Sequence, residues 1–384
     1  MQLDLTEDQI AIRDHIRGLC ESEFGPHAAR WDQEHGVPQE AVAKLAEQGL
    51  LGMAIPEEWG GLGYDGRTIA IVIEEIARVS AALAIMIAVH NSVGAYPIYR
   101  FGTDEQRERF LPRLVTKDLG AFSLSEPGAG SDVAALDATA VRQGDHYVLN
   151  GSKNWVTNGM QAGVILVFAK TDRAAGNKGI SAFIVERGAK GLVLGKAEDK
   201  MGLRGSDTVA ISLEDLEVPA DQRLGEEGDG FRIAMSMLDA GRIGVAAQAL
   251  GVMRAAFEEA VRYAQQRHAF GGPLAKIQAV QFKLAEMERR IQCARLLVRR
   301  AAWLKDVGRP YTRESAMAKL YASEAATWVT HQAIQIHGGY GFVKEYAVER
   351  FYRDVRVMEI YEGASEIQRL VIARSLLKDG VGAA

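Results

Sequence analysis

The sequence predicts an α+β fold in three consecutive parts: an all-α domain over residues 1–118, a middle antiparallel β domain over 119–228 and a C-terminal four-helix bundle over 229–384. Three observations predict it. Apolar residues recur at helical spacing before about Lys117, short Val-, Ile- and Phe-rich runs bounded by turn residues follow as far as Gly228, and helical spacing returns from Phe231 onward. At 384 residues, 48% of them apolar and 25% charged, the chain has the length of about two to three average domains and the composition of a globular enzyme with a sizeable core. A formal net charge of -5 and a pI near 6.0 provide no basic face for nucleic acid or an anionic membrane, so any phosphate has to be held locally.

In the first part Ile69, Val72, Ile73, Ile76 and Ala77 lie three and four apart, the spacing of one buried helix face. The opening stretch MQLDLTEDQIAIRD carries acids where a secretory signal would be basic and then apolar, and it lacks the Arg- and Ser-rich character of a transit peptide, so the expected location is cytoplasmic. The run VSAALAIMIAV, 79–89, is too short to cross a bilayer and predicts a core helix. Gly61, Gly63 and Gly66 match the dinucleotide pattern G-x-G-x-x-G. Pro56-Glu57-Glu58-Trp59 separates them from the preceding apolar run, and no strand ending in an acid follows, so they read as a turn. Cys20 and Cys293 are far apart and share no metal-type spacing with the eight histidines; two buried thiols and no metal site are expected.

In the middle part HYVLNG, GVILVFAKTD, GISAFIVERG and TVAISLEDLEVP read as strands, and RQGDHYVLNGSKNWVTNG as antiparallel hairpins with Gly-Asp and Asn-Gly turns. The final part predicts helices over roughly 231–264, 275–306, 312–337 and 365–378, with a small GVGAA tail. No internal repeat is present.

Three stretches carry candidate chemistry. FSLSEPGAGSD, 122–132, places Pro127, Gly128 and Gly130 where helix gives way to sheet; such a turn frees backbone N–H groups for a polar ligand, or simply joins two domains. Trp155, Val156 and Thr157 in a strand offer a flat ring and a hydroxyl to a planar cofactor, although a strand tryptophan is also an ordinary core residue. In VMEIYEGASEIQRLVIAR a lone acid, Glu362, stands before a helix. Ser365 and Gln368 have capping-box spacing, and Ile367, Leu370 and Val371 have the spacing of a core face. Read alone, Glu362 is first of all an exposed turn acid near a helix N-terminus, where negative charge is mildly favoured.

SEPGAGSD, WVTNG, DKMGLRGS, LDAGRIG, RHAFGGPL, QIHGGYGF and IYEGASEIQRL, in that order, make the chain resemble the acyl-CoA dehydrogenase family along essentially its whole length, and its short-chain, butyryl-type members most of all. The resemblance implies an FAD-dependent enzyme of fatty acid β-oxidation that converts a short-chain acyl-CoA to the trans-2-enoyl-CoA, passes electrons to an electron-transferring flavoprotein and assembles as a homotetramer. It implies that Glu362 is the base that removes the α proton. An α C–H beside a thioester is too weak an acid for a carboxylate in water, so such a site has to exclude solvent and stabilise the enolate. The backbone N–H of Glu362 and a ribityl hydroxyl would hold the thioester oxygen.

By the same resemblance Phe122, Leu124, Ser125, Gly130 and Ser131 would line the flavin, with Trp155, Val156 and Thr157 against its ring and Ala364 and Glu366 close by. Arg267, Phe270, Gln278, Gln335, Ile336, Gly338 and Gly339 would reach the FAD of a neighbouring subunit. Ser131, Asp239, Arg242 and Gly363 would contact the acyl-CoA. Two positions depart from the common pattern: Ala364 stands where threonine is frequent, and His337 where an apolar residue is frequent; the histidine reads as a turn residue. Branched short and medium acyl chains remain open, because one methylene is worth only about 1–3 kcal/mol of discrimination. A non-enzymatic or DNA-binding flavoprotein of this fold, an acyl-CoA oxidase and a glutaryl-CoA dehydrogenase are the rival readings. The first would typically carry an added basic domain, the second an extra helical region, and the third a cationic pocket residue that the sequence does not identify.

Overall fold

The computed structural model describes residues 4–379; the GVGAA tail, 380–384, lies outside the described residues. The first part is helical throughout: Glu7–Leu19 (α1), Ala28–Glu34 (α2), Gln39–Glu47 (α3), Gly66–Val79 (α4), Ala81–Val89 (α5), Tyr96–Phe101 (α6) and Asp104–Thr116 (α7). In α4 the expected face is inside, with Val72, Ile73, Ile76 and Ala77 buried and Ile69 packed at its edge. All nine residues of α5 are buried. The helical stretch Ala81–Phe101 is long and apolar enough to span a membrane, but 89% of its apolar 18-residue window is covered by the rest of the protein, as in a core helix. Cys20 is buried, whereas Cys293 is only half-buried, because its helix turns that face toward the surface.

The glycines of the dinucleotide-like pattern form the expected turn, and their role is steric. A Cβ on Gly61 would collide with the Ile55 carbonyl and stand 2.6 Å from that of Gly52, so this backbone passes too closely for any side chain. Gly61→Ala is expected to cost about 1–3 kcal/mol, read as a lower thermal unfolding midpoint with unchanged flavin spectrum. An unchanged midpoint would show that the turn yields freely.

The strands are Leu119–Ser123 (β1), Thr139–Gln143 (β2), His146–Thr157 (β3), Ala162–Lys170 (β4), Ile180–Glu186 (β5), Leu192–Ala197 (β6), Thr208–Pro219 (β7) and Arg223–Leu224 (β8). They form one sheet in the order β6-β7-β3-β2-β4-β5-β8, with β1 added alongside β4. The sheet is mainly antiparallel, with one departure from expectation. β1 runs parallel to β4, and β2 touches β4 in parallel at Thr139 and Lys170. A parallel neighbour needs a long crossover, and the loop from 124 to 138 with the β2–β3 hairpin supplies it. The Gly144-Asp145 turn forms as expected. Of the two Asn-Gly pairs, Asn158-Gly159 forms a turn after β3, whereas Asn150-Gly151 lies within β3, where the register with β7 shifts, Gly151 takes φ 145° and Ala138 leaves no room for a side chain there.

The last part contains Gly230–Gln266 (α8), Gln278–Asp306 (α9), Thr312–His337 (α10), Val348–Val355 (α11) and Ser365–Asp379 (α12), with a two-strand ribbon of His268–Ala269 (β9) and Gly272–Pro273 (β10) between α8 and α9. α10 packs against α8, α9 and α12, while α8 also packs on α4 and α5 and so joins the bundle to the first part. α11 is an additional short helix that the sequence pattern did not separate. α12 begins at Ser365 as expected, but no capping box forms. Ser365 is already inside the helix and its buried Oγ has no partner, while the Gln368 amide reaches back to the Glu362 and Gly363 carbonyls. Leu370, expected in the core, is 48% exposed.

Candidate active site

Glu362 lies in the turn between the Arg356–Glu359 3₁₀ segment and α12, in the left-handed region at φ 50°, followed by Gly363 at φ 93°. For a non-glycine residue this conformation costs roughly 1–2 kcal/mol, and the surrounding contacts hold it. The Tyr361 hydroxyl donates to Gln248 Oε1 on α8. Lys319 Nζ on α10 donates to the Gly363 carbonyl at 2.7 Å, and Gln368 Nε2 on α12 donates to the same oxygen at 2.8 Å and to the Glu362 carbonyl at 3.2 Å. Three helices therefore fix one turn.

The carboxylate of Glu362 points inward. Its Oε2 is buried without a hydrogen-bond partner and lies so close to α8 that a Cβ on Gly241 would collide with it. Burial pushes the carboxyl up to about 7, and the charges of Lys319 and Arg242 act the other way. Arg242 is itself buried, with an unpartnered Nε, and donates from Nη1 to Asp239 at 2.6 Å; Asp239 also accepts from the Thr312 hydroxyl at 2.5 Å. Burial raises the Asp239 carboxyl above its ordinary value. A carboxyl on a half-buried residue, with one oxygen fully buried and unpartnered and its pKa pushed up to about 7 by burial, has the character of a general base.

The second candidate region gathers around the glycine loop. Glu126 and Ala129 bond each other through both backbone pairs, closing a tight turn that leaves Gly128 and Gly130 facing open space. The Ser125 carbonyl accepts from the Asn154 N–H, which ties the loop to the strand that carries Trp155. Phe122, Ser125 and Thr157 are half-buried, Leu124 and Val156 are buried, and Gly130 and Ser131 are exposed. Trp155 is 63% exposed and sits at φ 63°, where β3 loses register between Lys153 and Val156. That bulge turns the indole out of the sheet. Beneath the loop lies a buried ion pair that the sequence reading missed. Lys153 Nζ meets Glu126 Oε1 at 2.7 Å, and Glu126 in turn accepts from the Asp137 and Ala138 N–H groups.

A third group joins the β9–β10 ribbon to the end of α10. The Arg267 guanidinium lies 5.4 Å from the Tyr340 ring centroid, and Phe270 is 97% exposed at the tip. Gln278, Gln335, Gly338 and Gly339 are exposed and Ile336 is buried. His337 is not on the turn surface. It is buried in the last helical turn, stacks on Tyr263 at 4.2 Å and donates from Nδ1 to the Ala333 carbonyl, and burial holds its pKa below the ordinary value. No hydrogen bond, ion pair or ring contact among the described residues links this group to the Trp155 region. Ala364 is half-buried and Glu366 exposed.

Comparison with known proteins adds an independent line. Models of the acyl-CoA dehydrogenase N-terminal, middle and C-terminal domains match residues 6–118, 121–216 and 228–377. The chain belongs to the acyl-CoA dehydrogenase family. It is similar to the mitochondrial short-chain specific acyl-CoA dehydrogenase of Rattus norvegicus, 51% identical over 377 residues that cover 98% of this chain and 92% of the relative. Among solved structures it is similar to the butyryl-CoA dehydrogenase of Megasphaera elsdenii, at 44% identity and a TM-score of 0.96 over 98% of this chain and 100% of that one. It is also similar to a chain solved in work on the electron transferring flavoprotein of Acidaminococcus fermentans, at 45% identity and a TM-score of 0.97 over 99% and 100% of the two chains.

Acyl-CoA dehydrogenases are FAD flavoproteins. The residues of this chain fit that cofactor: an outward-turned indole, a backbone turn with two open glycines, and the Ser125, Ser131 and Thr157 hydroxyls form a surface suited to a flat, hydrogen-bonding ring system. Sequence reasoning overlooked Gly241 and Lys319 at the carboxylate and its turn, and Gln248, which holds the neighbouring Tyr361 hydroxyl. Gly241 lies within the LDAGRIG stretch, but a glycine in a helical run gives no sign of what it faces. A lysine at a core helix position, as Lys319 is between Ala318 and Ala322, was the one usable signal.

Proposed function

We propose that this acyl-CoA dehydrogenase acts on short straight-chain thioesters, near four carbons, with Glu362 removing the α proton and the trans-2-enoyl-CoA as product. The observation that carries the reading is the buried, unpartnered Oε2 of Glu362 on a turn held from three helices. A base of this kind is shielded on one oxygen from the water that would weaken it and has no competing donor on that oxygen. The backbone N–H of Glu362 has no acceptor among the described residues and is available to the thioester oxygen as negative charge develops there. When bound, FAD supplies the acceptor for the β hydride. Phe122, Leu124, Ser125, Gly130, Ser131 and Trp155–Thr157 would hold its ring, with Ala364 and Glu366 near it; Ser131, Asp239, Arg242 and Gly363 would serve the acyl-CoA.

Arg267, Phe270, Gln278, Gln335, Ile336, Gly338 and Gly339 would reach the cofactor of a neighbouring subunit in a homotetramer. That arrangement would cover Phe270, which is 97% exposed at the tip of the ribbon. An electron-transferring flavoprotein is the proposed electron acceptor and the cytoplasm the proposed location.

The test is anaerobic titration with acyl-CoAs of graded length, following loss of flavin absorbance. The greatest loss is expected at about four carbons, with each added methylene shifting affinity by about 1–3 kcal/mol. Because the acid form of Glu362 cannot accept a proton, the reduction rate should rise with pH through about 7. A preference for long chains, or a rate that is flat across neutral pH, would count against the assignment.

A further inference from the structure

Lys319 is fully buried in the middle of α10, among Ser315, Ala316, Ala318, Ala322 and Ser323, all of them small and buried. Leaving a cation there is costly, because its desolvation is only partly offset by whatever it contacts, and a methionine would fill similar space without the charge. The hydrogen bond it makes is to a backbone carbonyl, that of Gly363, the residue after the candidate base. Gln368 and Tyr361 hold the same turn with neutral groups, so Lys319 is the charged member of the set.

We propose that Lys319 is a positioning residue for the base: its ammonium clamps the Gly363 carbonyl, fixes the left-handed turn and keeps a positive charge within reach of the Glu362 carboxylate. The proposal rests on the reading of Glu362 as the base. The clamp acts next to a strained residue, Glu362 at φ 50°, and a loosened turn would let it relax toward ordinary dihedrals and carry the carboxylate with it. The charge acts on ionisation. The charged groups facing the lysine are Glu362, Glu359 and Glu366 from the turn and its two flanks and Arg242 from α8. Burial pulls the ammonium down to about 8, while Glu362, the next largest influence, supports its charge. Lys319 and Arg242 are the two cations that oppose the burial of Glu362, so removing one leaves the base protonated to higher pH.

The experiment compares the pH dependence of anaerobic flavin reduction by saturating butyryl-CoA in wild-type holoenzyme, Lys319→Met, Lys319→Arg and Glu362→Gln. In Lys319→Met the acid limb should move up by about one pH unit or more, and the limiting rate near neutrality should fall about tenfold or more while the apparent substrate affinity changes little. Lys319→Arg keeps the charge and should keep the limb in place, with a reduced rate because the fork meets the carbonyl differently. A purely structural lysine would lower thermal stability or flavin content without moving the limb, and a Lys319→Met limb that coincides with the wild type overturns the proposal. If Lys319→Met yields no holoenzyme, Lys319→Arg decides: a limb shifted upward despite the retained charge overturns it, and an unshifted limb with a reduced rate supports it. Failure of the base assignment itself looks different, since Glu362→Gln would then be reduced as fast as the wild type.

Discussion

Glu362→Gln is expected to lose roughly 10²–10⁴-fold in the rate of substrate-driven flavin reduction, while the flavin stays bound and its spectrum unperturbed. The amide matches the carboxylate in shape, so the turn held by Tyr361, Lys319 and Gln368 has no steric reason to move. What changes is that neither amide atom can take the α proton. A second consequence concerns stability and has the opposite sign. The carboxyl is raised from about 4.5 to about 7 in the folded chain, so between those values the folded state binds the proton more tightly than the unfolded one. Stability contributed by the neutral acid is therefore present at low pH and lost as pH rises through that window. Above it the wild type carries a buried charge that the amide variant does not. Glu362→Gln should thus melt at the same or a higher temperature than the wild type at pH 8, where the base of the parent is ionised. Normal reduction by butyryl-CoA in this variant would place the base elsewhere.

The same turn shows how much of the site the sequence could carry. The three-part architecture was legible because each part has its own periodicity: α4 buries the face that its spacing marks, and the strands around HYVLNG and GVILVFAKTD fall where their β-branched runs stand. The parallel seating of β1 on β4 was not legible, since pairing partners are set by the whole sheet and not by the strand's own residues. The S-x-x-Q spacing pointed to the right helix start for the wrong reason. Gln368 does turn back toward the chain before the helix, but to bind carbonyls of the turn carrying Glu362, because holding that turn outweighs a local cap. Gly241 and Lys319 come from helices more than forty residues away from Glu362 in sequence, and only the folded bundle brings them to it.

The largest expected loss of stability comes from the pair beneath the glycine loop. Lys153 is fully buried in β3 and Glu126 nearly so, with 2.7 Å between them; the ammonium also donates to the Leu124 carbonyl at 3.3 Å. Burial works against the ammonium's charge and Glu126 works for it. Lys153→Met removes the cation but leaves the carboxylate enclosed, and breaking one side of a buried pair costs about 3–5 kcal/mol, a large share of the about 5–15 kcal/mol by which native proteins are stable. The damage should be concentrated where Glu126 is used: its two oxygens accept from Asp137 and Ala138 and so set the path of the loop that carries Ser125, Gly130 and Ser131. We therefore expect Lys153→Met to unfold at a markedly lower temperature and to purify with little FAD. Excess FAD should restore part of the midpoint, because a ligand that binds only the folded state stabilises it. The double change Lys153→Met with Glu126→Gln keeps an acceptor for one of those N–H groups and buries no charge, so it should melt above the single variant. If the single variant melts with the wild type and retains its flavin, the ion pair is not what shapes the loop, and the open turn at Gly128 and Gly130 has to be held by its backbone bonds between Glu126 and Ala129 alone.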